Sequence, residues 1–119
     1  MKQVNEFVTI LFEIEVVSHI AHLQTTSFAK HSALDGLYKD IVGHRDSFIE
    51  SYQGKYGIIT GYGSVNPLEG NDIVKYLESV RSDIEEFRLT LSKDGYLQQI
   101  IDDIIELISS TLYKLKFLK

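Results

Sequence analysis

The chain has 119 residues, a formal net charge of −5, 44% apolar content and no cysteine. That length suits one domain with a modest core, and the missing thiols exclude disulfides, iron–sulfur clusters and thiolate zinc sites, so any metal must be held by nitrogen and oxygen. The acidic balance opposes a phosphate-binding surface and makes nucleic acid a poor partner.

Residues 3–23 read as a first helix with Val4, Phe7, Val8, Leu11, Ile14 and Ser18 on one face. Glu6, Glu13 and Glu15 interrupt the apolar pattern, which fits neither a signal peptide nor a membrane span of about 20 residues, so the expected location is the cytoplasm. Phe12, Val16, Ile20 and Leu23 form a second apolar face; a helix apolar over most of its circumference is expected to be enclosed, by the rest of its bundle or by another subunit. Glu15 and His22 fall on the apolar side, with His19 about 60° away. Buried polar groups need partners, and pairing of Glu15 with a histidine is the simplest arrangement.

Gln24–Ser27 is a short polar connection in which Thr26 or Ser27 can cap a second helix, making an antiparallel hairpin. That helix is predicted from Phe28 to about Tyr52, with Gly54 as its stop. Gly36 and Gly43 lie inside it at a cost of about 0.5–1 kcal/mol each against alanine, and close approach of another backbone would account for them. Residues 53–71 hold five glycines and the only proline, so a long connection is expected, with a brief extended piece at Tyr56–Thr60. No GxxxxGK[ST] pattern supports nucleotide binding there. The connection is long enough to travel back along the second helix, so the third should run parallel to it. The third helix is predicted over Asp72–Leu91, with Asn71 as its cap and Ile73, Val74, Leu77, Val80, Ile84, Phe87 and Leu91 as its stripe. After a tight link at Ser92–Gly95, a fourth spans Tyr96–Phe117 with Leu97, Ile101, Ile104, Ile108, Leu112 and Leu115 at similar spacing. Short, long and short connections describe an all-α, ferritin-like four-helix bundle with one long crossover between its second and third helices, a single domain over residues 1–119.

All four histidines, His19, His22, His31 and His44, fall in the first half of the chain. On one helix, His31, Asp35, Asp46 and Glu50 form a polar stripe about 100° wide, yet Asp35 and Asp46 are roughly 16 Å apart along the axis and cannot share an ion. A two-fold axis removes the difficulty. An antiparallel copy crossing midway between residues 40 and 41 sets His31 beside Glu50 and Asp35 beside Asp46 of the other subunit, with Leu34, Tyr38, Val42 and Ile49 as the apolar contact. Two equivalent clusters of imidazole and carboxylate then result. A di-metal centre inside one bundle is disfavoured, because it needs Glu-x-x-His pairs and the last two helices have no histidine. His44 lies off the stripe and is expected at the surface.

The pattern resembles the Dps branch of the ferritin-like superfamily, whose ferroxidase centre lies between two-fold-related subunits. There a histidine ends the first helix, a second follows 12 residues later, and carboxylates stand 4, 15 and 19 residues beyond the second; His19, His31, Asp35, Asp46 and Glu50 have these spacings. Phe28, Leu37 and Tyr38 match apolar and aromatic positions around the second histidine. HLQTTSFAKHSALDGLY and YQGKYG also look like a group of small phage-encoded ferritin-like proteins. In that alignment His22, which precedes Leu23 and the polar run, is an alternative to His19. The resemblance implies a homodimer or larger homo-oligomer that binds iron, with manganese or zinc open to the same ligands, and oxidises Fe(II) with oxygen or peroxide. His31, with His22 or His19, would be the neutral ligands, Asp46 and Glu50 the anionic ones, and Asp35 a ligand or orienting group. The family's lysine-rich tail is missing, so neither a twelve-subunit cage nor DNA binding is carried over. The rival expectation is a non-enzymatic helical assembly or adaptor protein, such as a viral one, that keeps the bundle and a vestigial site.

Overall fold

A computed structural model describes residues 2–67 and 72–119, and among them finds four helices and no strand: α1 Lys2–Gln24, α2 Phe28–Tyr56, α3 Ile73–Thr90 and α4 Gly95–Phe117. Two of them, α2 and α3, start on side-chain caps. Ser27 is extended, and its hydroxyl accepts the Lys30 N–H at the start of α2; Asp72, not Asn71, caps α3 by accepting from Val74 and Lys75. Asn71, the cap expected from sequence, lies outside the described residues. Helix α2 also runs past the predicted stop. Gly54 stays helical, and the chain turns only at Gly57, whose φ of 98° suits glycine and whose N–H returns to the Gln53 carbonyl. The extra turn is anchored by Lys55 and Tyr56, which both donate to the Asp94 carboxylate at the foot of α4.

That contact orients the bundle. The end of α2 meets the start of α4, and Lys116 near the end of α4 bonds Glu78 early in α3. Thus α1 and α4 run one way and α2 and α3 the other. Helix α1 packs beside α2 and α3, and α4 completes the square against both. This is the one-crossover connectivity predicted. Phe7, Leu11 and Ile14 of α1, Leu37, Ile41 and Phe48 of α2, Leu77 and Ile84 of α3, and the whole predicted stripe of α4 are buried in one core. Phe7 meets Phe48 edge to face with ring centroids 4.8 Å apart, a favoured aromatic geometry.

The crossover differs from its expected course. Instead of lying along α2 it climbs the outer face of α1. Ile59 is buried, and its N–H donates to the Gln53 side chain; the Gly63 N–H donates to Thr9 Oγ1; Tyr62 packs edge-on against Phe12. No strand forms at Tyr56–Thr60. The crossover therefore covers part of the second apolar face of α1, leaving Leu23 the most exposed of its residues. On the α3 side, Tyr76 donates to Glu13 at 2.8 Å. Burial, with that carboxylate adding to it, pushes the Tyr76 hydroxyl well above the usual phenol range.

Candidate histidine–carboxylate site

The link Thr25–Ser27 is short, so the last turn of α1 and the first turn of α2 stand face to face. Across this corner His22 and His31 bind each other reciprocally: His22 Nδ1 lies 2.7 Å from the His31 carbonyl oxygen, and His31 Nδ1 lies 2.8 Å from that of His22. A carbonyl only accepts, so each Nδ1 carries a proton, which leaves Nε2 as the nitrogen that bears the lone pair in the neutral form of each ring. The rings stack with centroids 3.7 Å apart. His22 is buried, whereas His31 is exposed.

One turn further along α2, Asp35 comes within 3.9 Å of His22 Nε2. That gap is too long for a hydrogen bond and wider than the roughly 3.3 Å between two tetrahedral ligand atoms that each stand about 2 Å from one ion, so the two groups would have to draw closer to share one. Tyr38 donates to Asp35 Oδ1 at 2.9 Å, and Lys39 to Oδ2 at 3.0 Å. The Lys39 ammonium, then the Tyr38 hydroxyl, hold the Asp35 carboxyl below its ordinary range, and the Tyr38 hydroxyl is raised by the same carboxylate. His19 is exposed and lies flat on the Tyr38 ring, centroids 4.0 Å apart. Of the two helix-end histidines, His22 is the one beside His31 and Asp35.

The other predicted site residues stand apart. Asp46 accepts from Arg45 Nε at 3.0 Å, and the same buried guanidinium reaches Glu15 and lies over the Phe12 ring at 4.0 Å. The expected Glu15–histidine pair is therefore replaced by Glu15–Arg45. Arg45 falls on the same stripe of α2 as Leu34, Ile41 and Tyr52, and a cation in an apolar stripe opposite a carboxylate in another was the sequence signal for this pair. Glu50 is exposed, and His44 is half-buried. Among the described residues, no three of His, Asp and Glu are grouped so as to hold a metal ion within one chain.

For the proposed contact between copies, Leu34 is unsuitable: it is 1% exposed because it points into the core of its own bundle. Tyr38, Val42 and Ile49 are half-buried at the edge of the stripe. Gly36 and Gly43 are exposed, and a Cβ at either would meet nothing within 4 Å in this chain, so packing within the bundle does not require them.

Fold and site together define a one-crossover four-helix bundle with a histidine–carboxylate cluster at the corner of its first hairpin. The chain belongs to a family of unknown function, DUF5856, whose model matches residues 22–115. The match starts at His22 and takes in His31, Asp35, Asp46 and Glu50 but not His19. No curated protein and no solved structure matches the chain.

Proposed function

We infer that the protein is a ferritin-like, Dps-type metal-binding protein that takes Fe(II) as its substrate at two sites shared across a homodimer. The observation that carries this reading is the reciprocal pair His22–His31. Metal-bound histidines characteristically donate their other ring N–H to a carbonyl or carboxylate, which fixes the tautomer and aims the free nitrogen; both rings are held this way, and His22 lies beside Asp35. Glu50 and Asp46 of a second copy would supply the remaining anionic ligands. The chain's own part is to hold two neutral nitrogens in place, to orient Asp35 through Tyr38 and to offset the rising charge of the ion with carboxylates. Iron in such a site would supply electron transfer to oxygen or peroxide.

A second reading, a helical assembly or adaptor protein with a vestigial site, is favoured by one observation: Asp35 and Asp46 already have cationic partners in Lys39 and Arg45. Metal analysis of protein purified without chelator, followed by Fe(II) oxidation assays, separates the two. Stoichiometric metal that disappears in His31→Ala and in His22→Ala supports the first; a folded, metal-free protein with no oxidation supports the second. Subunit sharing has its own test. Asp35→Ala and Glu50→Ala chains, each inactive alone, should regain one intact site per heterodimer, and no recovery after confirmed subunit exchange rejects the shared site.

A further inference from the structure

A groove of about 1020 Å³ opens between α1, α3 and the crossover. Glu6 and Glu13 of α1 and Asp83 and Glu86 of α3 line it, Ile10 and Phe87 supply apolar surface, and no lysine, arginine or histidine among the described residues takes part. Its volume is at the upper end of small-molecule pockets, and its carboxylates are spread rather than gathered: Glu6 and Glu13 are roughly 10 Å apart along the helix, and no metal-holding group forms among the described residues. Such a surface fits a length of polypeptide that carries spaced cations and apolar side chains.

The same chain presents that chemistry. Near the end of α4, Tyr113, Phe117 and Leu118 are 55%, 69% and 47% exposed, and Lys114, Lys116 and Lys119 lie among them in a protein of net charge −5. Lys116 bonds Glu78; Lys114 and Lys119 are exposed. The groove and this tip cannot meet within one molecule. The groove is built from the early turns of α1 and the late turns of α3, at the end opposite the close of α4, and the molecule is 43 Å long.

We propose that the α4 tip of one molecule, residues 113–119, docks into the acidic α1–α3 groove of the next. Lysines meet the carboxylates, and Phe117 and Leu118 meet Ile10 and Phe87. Because two different surfaces are joined, the contact is heterologous and propagates from molecule to molecule instead of closing at two. It is independent of the two-fold contact between α2 helices and uses other faces.

Sedimentation velocity over a concentration series tests it. At about 20 mM salt the mean mass should climb with concentration without a plateau at the dimer, and at about 500 mM salt, where screening is several-fold shorter in range, the climb should vanish. Charge reversal of the tip (Lys114→Glu with Lys119→Glu) or of the groove (Glu6→Lys with Glu86→Lys) should each abolish the climb, and circular dichroism should show both variants folded, since all four positions are exposed. Mixing the two variants in equal amounts should restore association, because each tip then finds an oppositely charged groove. A wild-type mass that stays constant at low salt, a climb indifferent to salt, or a mixture no more associated than its components would each overturn the proposal.

Discussion

Arg45 offers the sharpest test of how the hairpin is held. Its side chain is 8% exposed, whereas its partners Glu15 and Asp46 are 35% and 51% exposed. In Arg45→Met the packing over Phe12 is largely kept, so the loss is mainly the two charge-assisted bonds. A hydrogen bond to a charged group contributes about 1.5–3 kcal/mol when well buried, but water can solvate both carboxylates once the guanidinium is gone, which brings Glu15 to about 1–2 kcal/mol and Asp46 to the surface range of about 0–1. The guanidinium–ring contact adds about 0.5–1 kcal/mol. The net expectation is a destabilisation of about 2–3 kcal/mol, seen in urea unfolding as a lower midpoint with unchanged slope. A double-mutant cycle then apportions it: coupling of Arg45 to Glu15 of about 1–2 kcal/mol, and to Asp46 under about 0.5. The assignment fails if Glu15 shows no coupling, or if Asp46 carries the larger share. The same variant bears on the metal reading, since releasing Asp46 from Arg45 should tighten Fe(II) binding if Asp46 is a ligand and leave it unchanged if it is not.

Two glycines of α2 should respond in opposite directions. Gly54→Ala, at a helical position with open space around its Cβ, should raise stability by about 0.5–1 kcal/mol, whereas Gly57→Ala, at φ 98°, should lower it by about 1 kcal/mol or more; paired thermal melts decide, and equal shifts of one sign would contradict the observed stop. Acid sensitivity should follow the bonded carboxylates. Asp94, lowered by Lys55 and Tyr56, and Asp102, lowered by Arg88, are depressed from 3.8. They hold fewer protons folded than unfolded, so their contribution is complete above about pH 4 and is lost as pH falls through the lowered values. Urea midpoints measured from pH 7 to 2.5 should drop in that window, and less so in Asp94→Asn.

The helices were legible in the sequence because apolar spacing is a local property. Each of the six stripe positions of α4, from Leu97 to Leu115, is buried, as is each of the six on the main face of α1. The histidine–carboxylate spacing was equally plain, yet its meaning divided on folding. His22, His31 and Asp35 came together across a three-residue link, while Asp46 went to Arg45, because a buried guanidinium takes the nearest carboxylates and nothing in a spacing says which those will be. Gly54 and Gly57 show the same limit at short range: both could stop a helix, and the Lys55 and Tyr56 bonds to Asp94, 39 and 38 residues away in sequence, extend α2 past the first and leave the second as the turn.

By itself, then, the sequence determined that four amphipathic helices pack with one long crossover, and that the protein's imidazoles sit on the first hairpin, since periodicity and connection length act before any long-range contact forms. Tertiary structure alone decided that the crossover lies on α1, that His22 rather than His19 faces His31, and that the first and third helices leave an acidic groove. Those outcomes depend on which side chains from distant segments reach the same few ångströms, and on which polar groups burial forces to find a partner there.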